Sequence, residues 1–264
     1  MAQKKIWLSW MPSGEDAPEA GDAVAKLGRY GLHVAGGPWG NPLDRLAWAK
    51  VAEVLLDSSR SDAWILAGHR AELDALDNRR ALSLLTTMVS SARGPRFPLL
   101  VLCLDAPLHA DDLPLLARRC GALSATDPSW PAKVVAATTR TTEPVDLGFL
   151  FNVHAHPLIG QFYELGPIDL PWEGVMVGLH GAACISHHAV GPRGEIPEGA
   201  VVEYELRDLK ADVGGREFTA WAVKNHLTPS DSYYLRVDGT PDALLVSGYP
   251  GDESELEASV IDLA

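Results

Sequence analysis

Apolar residues follow two textures along the chain, and the change between them falls near residue 142. In the first texture short apolar runs alternate with stretches of helical spacing. Ile6–Trp10 is a partly alternating apolar run followed by Pro-Ser-Gly-Glu-Asp, which predicts a strand and then a loop into a helix. In PEAGDAVAKLGRYG, Val24, Leu27 and, less regularly, Tyr30 form one stripe, and Gly31 is the expected stop before a second strand, LHVAG. The glycine and proline loop GGPWGNP leads to a helix from about Pro42 that carries Leu46, Val51, Val54 and Leu55. Next come a strand Ala63–Ala67, a helix near ALDNRRALSLLTTMVSSA, and FPLLVLCLD, a continuous apolar run of the kind a strand buried on both faces requires. A short helix DDLPLLARR, a strand CGALSA and a helix PSWPAKVVAATTR complete the order.

This alternation predicts a parallel sheet with helices on both faces. Ligands of such sheets gather beyond the carboxyl ends of the strands, here the loops Trp10–Asp16, Ala35–Pro42 and Gly68–Glu72. None of them carries G-x-G-x-x-G or a P-loop lysine, so neither a dinucleotide fingerprint nor a phosphate cradle is signalled. From about Val145 the texture becomes short β-prone runs between Gly, Pro and Asp, which predicts an antiparallel barrel or sandwich. Its clearest strand is VVEYELRDL, with Val202, Tyr204 and Leu206 on one face and Glu203, Glu205 and Arg207 on the other.

Charge sharpens this division into domains 1–142 and 143–264. The first holds 16 Lys/Arg against 15 Asp/Glu and the second 6 against 20, so the second carries −14 and the first +1 of the net −13. Such a balance argues against a nucleic-acid partner for the second domain. The boundary fits TTRTTEPVD, which is short, polar and proline-containing. Absence of a signal-peptide pattern and of about eighteen consecutive apolar residues leads to the expectation of a cytoplasmic protein with no membrane partner. Cys103, Cys120 and Cys184 are odd in number and widely spaced, which indicates reduced thiols and neither a disulfide framework nor a zinc knuckle. His154 and His156 share a strand face at a spacing that metal sites use, but no carboxylate or cysteine completes a recognised ligand pattern, so no metal is expected.

Over roughly residues 4–141 the order of elements resembles the TIR (Toll/interleukin-1 receptor) domain, a flavodoxin-like α/β fold. The matching pieces are KKIWLSW, DAVAKLGRYGLHVAG, PLDRLAWAKVAEVLLDSSRSDAWILAG, and the run from RFPLLVLCLD through the tryptophan helix. The resemblance implies either a protein-interaction scaffold or an enzyme that hydrolyses NAD at the nicotinamide glycosidic bond, with NAD as substrate and no cofactor. It also implies a signalling or bacterial-defence role through protein partners or self-assembly. The enzymes use a glutamate on the helix before the third strand, and Glu53 is the acid inside that helix here. A fixed carboxylate there stabilises the oxocarbenium charge that builds on the ribose. The same resemblance makes Trp10, Trp39, Trp48 and His69 the candidates for holding NAD. Four of them have a plainer reading: Glu53 as a solvated helix residue, Trp10 and Trp39 as edge-of-core packing, His69 as a loop histidine. A small-molecule-binding α/β protein of another family stands as the rival class.

Overall fold

The computed structural model describes residues 3–12, 18–143, 145–251 and 257–264. The Pro-Ser-Gly-Glu-Asp loop lies almost wholly outside them, as does Pro144 in the boundary segment. The chain divides into two compact units, Met1–Val145 and Asp146–Ala264.

The first unit is the expected α/β layer structure. Its strands are β1 (Lys5–Trp10), β2 (His33–Pro38), β3 (Ala63–Gly68), β4 (Leu99–Cys103) and β5 (Gly121–Ser124), and its helices are α1 (Pro18–Arg29), α2 (Ala47–Leu56), α3 (Arg70–Leu73), α4 (Leu76–Arg93) and α5 (Trp130–Ala137). The sheet order is β2-β1-β3-β4-β5 and each pairing is parallel. β3 and β4 are buried at every position, because helices cover both of their faces. Strand alternation divides the core. Ile6 and Leu8 of β1 pack with Ala63, Ile65 and Ala67 of β3 under Leu27 of α1 and Trp130 and Val134 of α5. The opposite face carries Ser9 and Trp64, whose Oγ and Nε1 are 3.0 Å apart, and α2 packs beside α4.

Three local departures have clear causes. β2 runs on through Gly36, Gly37 and Pro38, because a Cβ at Gly36 would stand 1.9 Å from the Leu8 carbonyl oxygen, so only glycine allows this close parallel approach. The helix expected from Pro42 begins at Ala47, because Arg45 and Leu46 take left-handed backbone angles (φ 48° and 55°) that end a short 3-10 turn and start α2 afresh. DDLPLLARR forms two 3-10 turns, Ala110–Asp112 and Leu115–Ala117, because Pro114 interrupts the helical hydrogen bonding.

The second unit has two antiparallel sheets. One is ordered β6-β7-β12-β9, with β6 (Leu150–His156), β7 (Gly160–Gly166), β12 (Asp231–Gly239) and β9 (Ala183–Pro192). The other is ordered β10-β11-β8-β13-β14, with β10 (Leu206–Val213), β11 (Arg216–Val223), β8 (Val175–His180), β13 (Ala243–Ser247) and β14 (Ser259–Asp262). The His188 ring of β9 meets the Trp221 ring of β11 edge-on at 4.8 Å, which brings the sheets face to face. The expected strand VVEYELRDL is overturned in its first half. Tyr204 adopts φ 47° and is 76% exposed, so the chain does not pair until Leu206.

A protease acting on the native chain should cut first between residues 138 and 146, leaving fragments of the two units that each retain cooperative unfolding. Gel analysis and calorimetry of the fragments check this. Fragments that lose all cooperative structure would contradict it.

Candidate functional site at the carboxyl ends of the strands

In a sheet of this order the winding reverses between β1 and β3, and ligands of such folds bind beyond the carboxyl ends there. Met11 enters that position. Its N–H donates to Ala67 O at 2.9 Å, and its side chain lies so close to Gly68 that a Cβ added there would stand 2.7 Å from Met11 Sδ. Trp39 N–H donates to Trp10 O at 2.7 Å and draws the glycine loop over β1. Met11 and Trp39 are both buried.

The residues that the resemblance singled out do not converge on this crevice. Trp10 is half-buried against the cluster under α1 and α5. Trp39 belongs to the opposite face, where its ring lies 5.8 Å from that of Trp64 and its Nε1 donates to Asn78 Oδ1 at 2.9 Å. The two indoles are therefore on opposite sides of the sheet and do not form a stacking pair around one base. Trp48 is completely buried, and its indole nitrogen has no hydrogen-bond partner, so it serves the core.

Glu53 is exposed. Helix α2 carries the chain back from the carboxyl end of β2 to the amino end of β3, as a parallel connection must. Glu53 lies six residues beyond Ala47, about 9 Å down that helix at 1.5 Å per residue. The carbonyl of Leu55, just past it, accepts from Ser61 Oγ at 3.5 Å and from the Arg93 guanidinium, at the amino end of β3. In a single chain the carboxylate thus faces outward, on the flank leading away from the crevice.

His69 does stand at the rim, as the N-cap of α3, where its N–H donates to Glu72 Oε2 at 2.9 Å. Beside it is an ionic cluster that the sequence did not disclose. Arg70 N–H donates to Asp105 Oδ1 at 2.9 Å, while the Arg70 side chain reaches Asp74 Oδ2 at 2.7 Å and Asp112 Oδ2 at 3.2 Å. Arg79 donates to the Asp112 carbonyl at 2.7 Å. The backbone N–H groups of Arg70 and His109 hold the Asp105 and Asp112 carboxyls below the usual range, so both stay ionised. Burial pushes the neighbouring Cys103 thiol up, which leaves it protonated and weakly nucleophilic at neutral pH. The rim presents fixed charges for binding, with its thiol unactivated.

A different polar centre lies in the second unit, and it too escaped the sequence reading. Glu164 of β7 is 1% exposed. Its Oε1 accepts from Gly194 N–H at 2.7 Å and Ser232 Oγ at 2.9 Å, and Oε2 accepts from Asn152 Nδ2 at 3.2 Å and lies 2.7 Å from His154 Nε2. Burial alone would push this carboxyl up; the bonds from His154, Gly194, Ser232 and Asn152 outweigh it and hold the group at about 2. His154, the expected metal-spaced histidine, is thus committed to a carboxylate. Among the described residues no group of three or more His, Cys, Asp or Glu is placed to hold a metal. A second pair sits between the sheets: buried His188 lies 2.7 Å from Tyr233 OH through Nδ1 and 2.8 Å from Glu205 Oε2 through Nε2. Burial lowers its pKa despite Glu205, so the neutral ring donates from Nε2 and accepts at Nδ1. Diverting Glu205 to this histidine accompanies the break in the VVEYELRDL pattern.

No family model and no curated protein matches the chain. Among solved structures it is similar to ChBD2 from Thermococcus kodakarensis KOD1, at 12% identity and a TM-score of 0.24 over 42% of this chain and 92% of that one. It is also similar to ChBD3 of the same organism, at 14% identity and a TM-score of 0.22 over 40% and 89%. Likeness at this level carries no functional argument. No helix among the described residues is long and apolar enough to cross a membrane.

Because the Glu164 carboxyl titrates at about 2 in the fold against 4.5 ordinarily, it contributes about 3 kcal/mol of stability above pH 4.5. That contribution declines as pH falls below 4.5 and is gone below about 2. Glu164→Gln should cost the second unit roughly 3 kcal/mol at pH 7 and flatten its stability between pH 5 and 3. Urea unfolding at several pH values checks this, and a wild-type slope retained in the variant would contradict it.

Proposed function

We propose that the chain is a TIR-like signalling or effector protein that acts through protein contacts of its first unit, with the β unit binding the partner or ligand that triggers assembly. One observation carries this reading: the acid that would serve the ribose, Glu53, is exposed on the outward side of α2, while Trp39 and Trp48 are buried. A glycosidic bond can be broken by oxocarbenium stabilisation only if a carboxylate lies against the ribose. A single copy does not bring one together with the tryptophans. The parallel order β2-β1-β3-β4-β5 with helices on both faces supports the family reading at the level of the fold.

NAD hydrolysis is then a property of an assembly, in which a second copy covers the exposed Glu53 and supplies the rest of the site. Nicotinamide release, followed over a wide range of protein concentration, tests this. Dilute protein should release none. In concentrated or assembled samples, any release should fall by about 10²-fold or more in Glu53→Gln, with folding unchanged because the side chain is exposed. Constant specific activity in dilute monomer would overturn the assembly requirement, and equal release by Glu53→Gln would remove Glu53 from the reaction.

A further inference from the structure

The two ends of the β unit are built differently. At one end β6 and β7, β8 and β9, β10 and β11, and β12 and β13 are joined by turns of two or three residues. The other end carries the longer connections, residues 167–174, 193–205, 224–230 and 248–258. Pairing of Leu150 with Gly166, Asp231 with Pro192 and Val223 with Val175 places these loops at one end of both sheets. Backbone and side-chain bonds tie them together. Arg193 N–H donates to Ser230 O at 2.8 Å, Lys224 N–H to Glu203 O at 2.9 Å, and Tyr249 OH to Tyr204 O at 2.9 Å.

Large apolar side chains of these loops stand in solvent: Ile168, Leu170, Ile196, Val201 and Tyr204, with Leu170 70% exposed. Tyr204 holds its ring outward from a left-handed backbone that is unfavourable for a bulky residue, and conformations of this kind gather at binding sites. The loops are stiffened as well. Pro167, Pro171 and Pro197 fix their backbone angles, and Pro197 packs on Gly191, where an added Cβ would stand 3.0 Å from it. Exposed apolar groups held in a rigid frame lose little freedom when covered. By sequence the four loops hold ten Asp/Glu against two Lys/Arg. Both bases are engaged: Arg193 donates to the Pro167 carbonyl, and Lys224 lies over the Tyr249 ring, 5.6 Å from its centroid.

We propose that this loop end docks a polypeptide segment in which aliphatic or aromatic side chains alternate with Lys and Arg. Apolar side chains set among charges of one sign mark an interaction surface, and a partner of the opposite sign completes it. The acids repel the phosphates of nucleic acid and of anionic lipid, and a second copy offering the same face would set acid against acid. The apolar positions lie on different loops and run from one sheet to the other, a spacing of about 10 Å that a chain of several residues bridges. Leu150 opens β6 opposite Gly166, and the Phe149 ring meets that of Trp172 edge-on at 6.1 Å, so the chain enters the unit at this same end. The proposal rests on the reading of the β unit as the part that binds the trigger, and adds the surface and the chemistry of the partner.

Panning a displayed library of random peptides, each about twelve residues and so long enough to span both sheets at about 3.3 Å per residue, on the full chain tests the proposal. No NAD is present, so the outcome is separate from that of nicotinamide release. Selected peptides should be enriched in Lys/Arg together with Leu, Ile, Phe or Trp, and synthetic copies should bind one to one by calorimetry. The double variant Leu170→Ser/Tyr204→Ser should weaken them at least tenfold with the melting temperature unchanged, because both side chains are exposed. Asp169→Lys with Glu198→Lys, which leaves the apolar groups in place, should do the same and serves if the first variant fails to fold. Leu158→Ser, an exposed apolar site in the β6–β7 turn at the opposite end, should bind as the wild type does. Selection of no peptide or of acidic or wholly polar ones, copies that bind a folded double variant undiminished, or an equal loss in Leu158→Ser would each overturn the assignment.

Discussion

The burial of Trp48 governs where α2 points its charged residues. Trp48, Ala52 and Leu55 form a stripe at helical spacing that is wholly buried. The large aromatic area outweighs an indole N–H left without a partner, a loss of about 1–3 kcal/mol in itself. Glu53 is five residues from Trp48, so at 3.6 residues per turn it sits about 140° around the helix from it. Turning Glu53 toward the sheet would expose that stripe. The far end of the helix is fastened too: the Arg93 guanidinium donates to the carbonyls of Leu55 and Ser61, and stacks on Phe97 with its central carbon 4.2 Å from the ring centroid. A different orientation of Glu53 has to come from what approaches it from outside.

The two units reach a unique structure by contrasting means. In the first, apolar side chains on both faces of a buried parallel sheet leave few polar groups inside, and a cluster of ion pairs sits on the carboxyl-end rim around Arg70. In the second, two buried polar centres tie strands that are distant in sequence. Glu164 joins β6, β7 and β12 to the turn after β9, and His188 joins β9 to β12 and to the chain entering β10. A satisfied buried network of this kind specifies register as well as stability, because a shift of one residue would orphan every partner at once.

The sheet and helix order of the first unit was legible because period and burial coincide there: Ala63–Ala67 and the apolar run at Leu99 read directly as inner strands. Boundaries were less legible where single residues take unusual backbone angles, as at Arg45, Leu46 and Tyr204, since none of these residue types announces a left-handed conformation. Glu53 and the tryptophans could be named from sequence but not oriented. Their roles depend on helix rotation and on strand alternation, which placed Trp10 and Trp39 on opposite faces. Arg70 with Asp105 and Asp112, or Glu164 with Ser232, are contacts between distant segments that no local pattern encodes. The one local hint was an acid between apolar neighbours in FYELG, whose Tyr163 and Leu165 are fully buried.

Glu53 stands exposed on α2, and we infer that NAD is bound only once a second copy covers it. Calorimetric titration of NAD into dilute, monodisperse protein addresses it most directly, since it reads binding without requiring turnover. Monomeric protein should give no saturable heat up to about millimolar NAD, a binding free energy no stronger than roughly −4 kcal/mol. A saturable one-to-one isotherm in the micromolar range, from protein shown to remain monomeric, would contradict it.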